Sequence, residues 1–221
     1  MSPFDHIWWL ASRSAGLVAF ALAAFSVILG LTMSTSLDRR KYAARKVLHE
    51  QAALACMVAI GLHGALLLGD RWLRPGVVGV LVPFAMPYRS PWTGFGILAA
   101  YLAALLGLSF YARARIGPRR WRSLHRLTPV VYVLAVVHML GAGADRATLG
   151  LRLAVVGTAV PIAALLAIRL FAVPARRTPT RPRRLPGPHD VTSTAWSTAT
   201  DRSHGATKGH SKPMPQASRS Y

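Results

Sequence analysis

Five stretches of mainly apolar residues decide what this chain can become: Ile7–Thr32, Val47–Leu68, Trp92–Ala112, Trp121–Leu140 and Leu149–Val173. Each is long enough to cross the hydrocarbon of a bilayer, which takes roughly 20 residues of helix at about 1.5 Å rise per residue. Lipid offers no partner to a bare amide or carbonyl, so such segments must satisfy their backbones internally, as helices do. The fold class expected is therefore all-α, an integral membrane helical bundle of about five transmembrane helices. Composition agrees, since 52% of the 221 residues are hydrophobic and the 15% that are charged gather between the apolar blocks. No basic segment precedes the first block and no A-x-A site closes it, so it is expected to be a retained helix and not a signal peptide.

The formal net charge of +20 would suit a nucleic-acid binder, but its distribution argues against that partner. Arg39, Arg40, Lys41, Arg45 and Lys46 are expected to fill the first loop; Arg113, Arg115, Arg119, Arg120 and Arg122 the third; Arg176, Arg177, Arg181, Arg183 and Arg184 follow the fifth span. Basic segments stay cytoplasmic, which puts the N-terminus outside and the C-terminus inside. The longest connection, Gly69–Pro91, contains Pro75, Pro83, Pro87 and Pro91; its apolar part, Val77–Ala85, is too short to cross and is expected to cap the bundle or lie in the interface. Two domains are expected: a bundle over 1–173, and a basic tail over 174–221, rich in Pro, Ser and Thr, that has too little to bury to be ordered. No G-x-G-x-x-G follows a strand, so no nucleotide-binding module is foreseen. The single cysteine, Cys56, allows neither an intrachain disulfide nor a thiolate metal site and reads as a small buried hydrophobe.

Four of the eight histidines lie within or at the ends of spans, His49 and His63 on the second, His125 and His138 on the fourth. Ionisable groups are costly in a membrane and usually turn inward to a function. The spacings, 14 and 13 residues, separate the two histidines of each helix by roughly 20 Å along its axis. Both helices run in the same direction, so His49 is expected to face His125 and His63 to face His138, at two levels. Imidazoles on facing helices offer the two axial nitrogens that a haem needs. Gly61, Gly64, Ala135 and Gly141 beside the ligands would give a macrocycle clearance. One feature of the geometry resists: a 14-residue step returns within about 40° of one face, whereas a 13-residue step misses by about 140°. The fourth helix must then be distorted, and Pro129, which removes the amide due to bond the His125 carbonyl, supplies the place.

Arg13 and Arg126 are candidates to neutralise haem propionates, although both also read as snorkelling surface arginines. A lone intramembrane histidine more simply hydrogen-bonds a neighbouring helix, and four of them could act as polar glue. Zinc fits poorly, because two histidines per level without nearby carboxylates fall short of a tetrahedral set. Glu50, the one acid near a level, is expected to face water or Arg126.

These features together resemble the ferric reductase-like transmembrane domain family, which includes ferric reductases, NADPH oxidases and the haem-bearing membrane subunit of bacterial methionine-sulfoxide reductase systems. The resemblance runs over Trp8–Val173 and is carried by the two histidine pairs, by Trp121-Arg122-Ser123-Leu124-His125-Arg126-Leu127-Thr128, by the glycine-rich loop after His138 and by Ser12-Arg13-Ser14-Ala15-Gly16. It implies transmembrane electron transfer through two bis-histidine haem b groups in a multi-pass protein of the bacterial plasma membrane. Fuller members carry six helices and, in oxidases, a flavin and nicotinamide module. Set against these, the chain is expected to lack both the first helix and the module, so the resemblance implies an electron-transfer subunit fed by a flavoprotein or quinol and passing electrons to an external acceptor, with flavin only on a partner. The competing reading is a non-redox membrane scaffold or assembly subunit whose histidines only tie helices together.

Overall fold

The computed structural model describes residues 7–35, 39–144 and 146–171. Among them the order is α1 (Ile7–Thr35), α2 (Arg39–Leu68), α3 (Gly76–Leu81), α4 (Ser90–Leu108), α5 (Arg113–Ile116), α6 (Pro118–His125), α7 (Thr128–Ala142) and α8 (Leu149–Phe171), with no strand. The tail expected from Pro174, its arginines, and His6, Asp145, His189, His204 and His210 lie outside the described residues.

Among the described residues five segments are long and apolar enough to span a membrane: α1, α2, α4, α6 with α7, and α8. Only 11–33% of the residues in their most apolar windows are buried in the protein, so most of the apolar surface faces outward. Leu17, Phe25, Val58, Leu105, Leu153 and Val160 all stand exposed on it. Such a belt would aggregate in water and is satisfied by lipid. The chain is a multi-pass membrane protein.

Three boundaries correct the sequence reading. The basic stretch Arg39–Lys46 is not a loop but the first turns of α2, and the third basic segment is likewise wound into α5 and α6. Arginine, lysine and alanine are good helix formers, and their stems can lie along apolar surface while the charge reaches water. The fourth span is broken as well as bent. Arg126 and Leu127 form a turn between α6 and α7, and Pro129 sits in the first turn of α7, where a missing amide costs nothing. The Thr128 hydroxyl donates to the His125 carbonyl at 3.0 Å, in place of the amide that Pro129 lacks.

α1 packs antiparallel along α2, α4 packs on α7, and α8 rests on α1. Phe20, Ala24, Val27 and Leu31 of α1 meet Tyr132 of α7 and Ile162 of α8 in the core. There Phe20 stacks on Tyr132 with ring centres 5.7 Å apart, and the Tyr132 hydroxyl pairs with that of Thr158 at 2.7 Å. Backbones of α2 and α7 scarcely approach one another, which leaves a gap in the bundle that side chains must bridge. Over one end lies the Gly69–Pro91 connection. Its helix α3 is too short to cross, as expected, and is tied to α4 by a hydrogen bond from the Tyr101 hydroxyl to the Leu81 carbonyl.

Candidate functional site

Two ring pairs bridge the gap between α2 and the broken fourth span. His49 and His125 lie with ring centres 5.9 Å apart and planes at 90°. His63 and His138 lie 6.3 Å apart at 72°. The first pair sits beside the basic ends of α2 and α6 and is here called the basic-side level; the second, nearer the Gly69–Pro91 connection, is the loop-side level. Low residue number meets low and high meets high, so α2 and the fourth span run parallel, as expected of two spans separated by one complete helix.

These separations suit one metal between each pair. Two imidazoles on opposite faces of an iron, with metal–nitrogen bonds of about 2 Å, place their ring centres roughly 6 Å apart. Among the described residues no group of three or more His, Cys, Asp or Glu side chains converges, so a metal held wholly by protein lacks ligands. A porphyrin supplies four nitrogens itself and asks the protein for only two.

Three of the four rings are anchored through Nδ1. His63 Nδ1 donates to the Ser12 carbonyl at 2.7 Å, His49 Nδ1 to the Ser26 carbonyl at 2.9 Å, and His138 Nδ1 to the Trp92 carbonyl at 2.9 Å. A carbonyl only accepts, so each Nδ1 carries a proton, and in the neutral ring Nε2 then keeps the lone pair that a metal ligand requires. Such partners also orient a ligating imidazole and raise its basicity. The Ser12 hydroxyl donates back to the His63 carbonyl at 2.9 Å, and Ser12 and Ser26 are both buried.

His125 is held otherwise. It is the last residue of α6, stacked on Trp121 one turn earlier with ring centres 5.0 Å apart and planes at 22°. Its Nδ1 and the Trp121 Nε1 are both buried without a hydrogen-bond partner.

A cavity of about 600 Å³ opens against the loop-side pair, lined by Arg13, Gly61, Gly64, Ala135, Trp72 and Tyr88 among others. A Cβ on Gly64 would lie 3.3 Å from Val80 Cγ1, whereas Gly61, with nothing within 4 Å of its Cβ position, borders open space. Gly141 does not: a Cβ there would meet the Trp92 ring at 2.2 Å, so its smallness accommodates an indole. Arg13 lies at the cavity with its guanidinium 4.8 Å from the centre of the Trp9 ring. Arg126 is exposed just beyond α6, and among the described residues no hydrogen bond or ring contact joins its side chain to a histidine. Glu50 pairs with Lys46 one turn before it, 3.6 Å away on the surface, and not with Arg126. Cys56 is buried, its Sγ donating to the Ala19 carbonyl at 3.4 Å.

Sequence reasoning missed Ser26, Gly30, Trp92 and Gly96 as site residues, and it named Trp121 without its stacking on His125. A signal was present: Ser12 to Ser26 and Gly16 to Gly30 repeat at the 14-residue interval of His49 to His63. Antiparallel helices in register bring matching intervals together.

The sequence model of the family described as ferric reductase like transmembrane component matches residues 15–136, more than half of the chain. No curated protein and no solved structure matches it.

Proposed function

The chain belongs to the ferric reductase-like transmembrane family, whose members are membrane electron-transfer subunits, and from that premise we propose that it is a b-type cytochrome carrying electrons across the membrane to an external acceptor. In this reading two haem b groups are held, one between His49 and His125 and one between His63 and His138. The observation that carries it is the pair of ring separations, 5.9 and 6.3 Å, repeated at two depths of one gap. Haem, when bound, supplies the one-electron iron couple; the protein supplies place and potential. The histidines ligate through Nε2, the Ser12, Ser26 and Trp92 carbonyls hold the Nδ1 protons, and Arg13 stands at the loop-side cavity to meet a propionate. Arg126, exposed at the opposite end, is left as a partner for a propionate reaching the surface. By the positive-inside rule the basic ends of α2 and α6 are cytoplasmic and the loop-side level faces outward in a bacterial plasma membrane. A flavoprotein or quinol feeds the basic-side level; flavin belongs to that partner.

The scaffold reading also has support, since each anchored histidine ties two helices together. It does not require that the far side of each ring meet a second imidazole, which is what both levels show. An absorption spectrum of the purified, dithionite-reduced protein separates the two. Low-spin haem b bands are expected, at two haems per chain; a colourless protein from haem-replete cells would overturn the cytochrome.

A further inference from the structure

Gly16, Gly30 and Gly96 stand in one relation to three different histidines. Each comes four residues after the carbonyl that takes a ring proton: Gly16 after Ser12 for His63, Gly30 after Ser26 for His49, Gly96 after Trp92 for His138. Each also faces that same ring. A Cβ on Gly96 would lie 2.5 Å from His138 Nδ1, one on Gly16 3.0 Å from His63 Nδ1, and one on Gly30 3.4 Å from His49 Cε1.

The relation has a geometric cause. In an α-helix the carbonyl of one residue already accepts the amide four residues on, leaving one lone pair for an outside donor. A side chain at that fourth residue sits on the same face, one turn along. A ring reaching the lone pair from a neighbouring helix must therefore lie over the fourth residue, and a hydrogen there leaves it room. The rung midway between the two levels is the internal control. Cys56, seven residues from either histidine of α2, donates to the Ala19 carbonyl in the same antiparallel register, yet the residue four beyond Ala19 is Ala23. A slim thiol tolerates a methyl group, and of these three rungs on α1 glycine stands at the two where an imidazole arrives. Close helix packing alone would not make that distinction. Glycine also weakens a helix relative to alanine, so three uses of it in one role call for a return.

We propose that Gly16, Gly30 and Gly96 are positioning residues that let three of the four axial histidines dock Nδ1 on a main-chain carbonyl and so present a basic, neutral Nε2 to iron. The inference rests on the proposed haem ligation and goes beyond it by assigning control of the ligands to residues that supply no ligand atom themselves.

The test compares Gly96→Ala, Gly16→Ala, Gly30→Ala and, as control, Gly157→Ala, whose Cβ meets nothing within 4 Å. Each is made in the full chain and read by haem-to-protein ratio, redox titration of each haem, and electron paramagnetic resonance of the ferric protein. Gly96→Ala is expected to lose the loop-side haem or turn it high-spin. Gly16→Ala keeps that haem but weakens the Nδ1 bond, so its ferric signal shifts and its potential rises; a tenfold change in the reduced-to-oxidised ratio corresponds to about 59 mV for one electron. Gly30→Ala moves only the basic-side haem and least of the three, and Gly157→Ala moves neither. Gly16→Ala decides the matter if Gly96→Ala fails to fold, because its clash asks the neighbour to yield only slightly. Wild-type protein with two haems and a Gly16→Ala variant indistinguishable from it would overturn the positioning role alone; wild-type protein without haem would overturn the ligation as well.

Discussion

The two histidine levels contain the same pair of imidazoles and are held in different ways. At the loop side both rings are pinned, His63 to α1 and His138 to α4, so two separate helices hold the two ligands. At the basic side His49 is pinned to α1, whereas His125 has only the face of Trp121 and a buried, unpartnered Nδ1. The break between α6 and α7 accounts for the contrast. Without it the two fourth-span histidines would point to different faces; with it His125 comes round to His49 but sits at the end of a short helix, and no main-chain carbonyl meets its Nδ1. Alignment and anchoring compete at that one residue, and alignment wins.

The sharpest way to break the comparison is to delete one level. His63→Ala or His138→Ala is expected to remove one of the two proposed haems and leave the other's spectrum intact, as measured by haem content and redox titration. Equal loss of both from either change would mean that the levels are not independent. A smaller effect is expected from Trp121→Ala. Loss of the stack, worth about 1 kcal/mol, should lower retention of the basic-side haem about fivefold in a competition with apomyoglobin, while the loop-side haem is unaffected. An unchanged ratio would show that the stack does not hold His125. The smallest expected effect is that of Tyr132→Phe, which removes the 2.7 Å bond to Thr158 in the core. A membrane hydrogen bond of this kind is worth about 0.6 kcal/mol, and thermal loss of the two haems should advance by the same small amount. A change confined to one level would tie the core to that level.

Much of the site was legible because charge and polarity are rare in such a chain. Four histidines stand out against apolar spans, and their intervals, with the shared direction of their two helices, matched them into pairs that the fold brings together. Even the distortion of the fourth span followed from the 13-residue step between His125 and His138. Its form did not: Pro129 suggested a kink, whereas Arg126 and Leu127 make a tight turn, bonded back three residues, between α6 and α7. Arg39–Lys46 was mistaken for a loop because the reading equated positive charge with exposure, although an interfacial helix satisfies both. Gly141 was assigned to the wrong large neighbour, since smallness in sequence does not say which group fills the space.

What the sequence determined by itself is the class of structure and the chemistry within it: five apolar lengths that match a bilayer, and imidazoles spaced to two depths. Tertiary structure alone decided which carbonyl each ring would meet, which glycine would lie beneath it, and that His125 would meet none. The physical reason is that every residue carries the same carbonyl, so the sequence does not mark one as a partner; the rotation and register of one helix against another do.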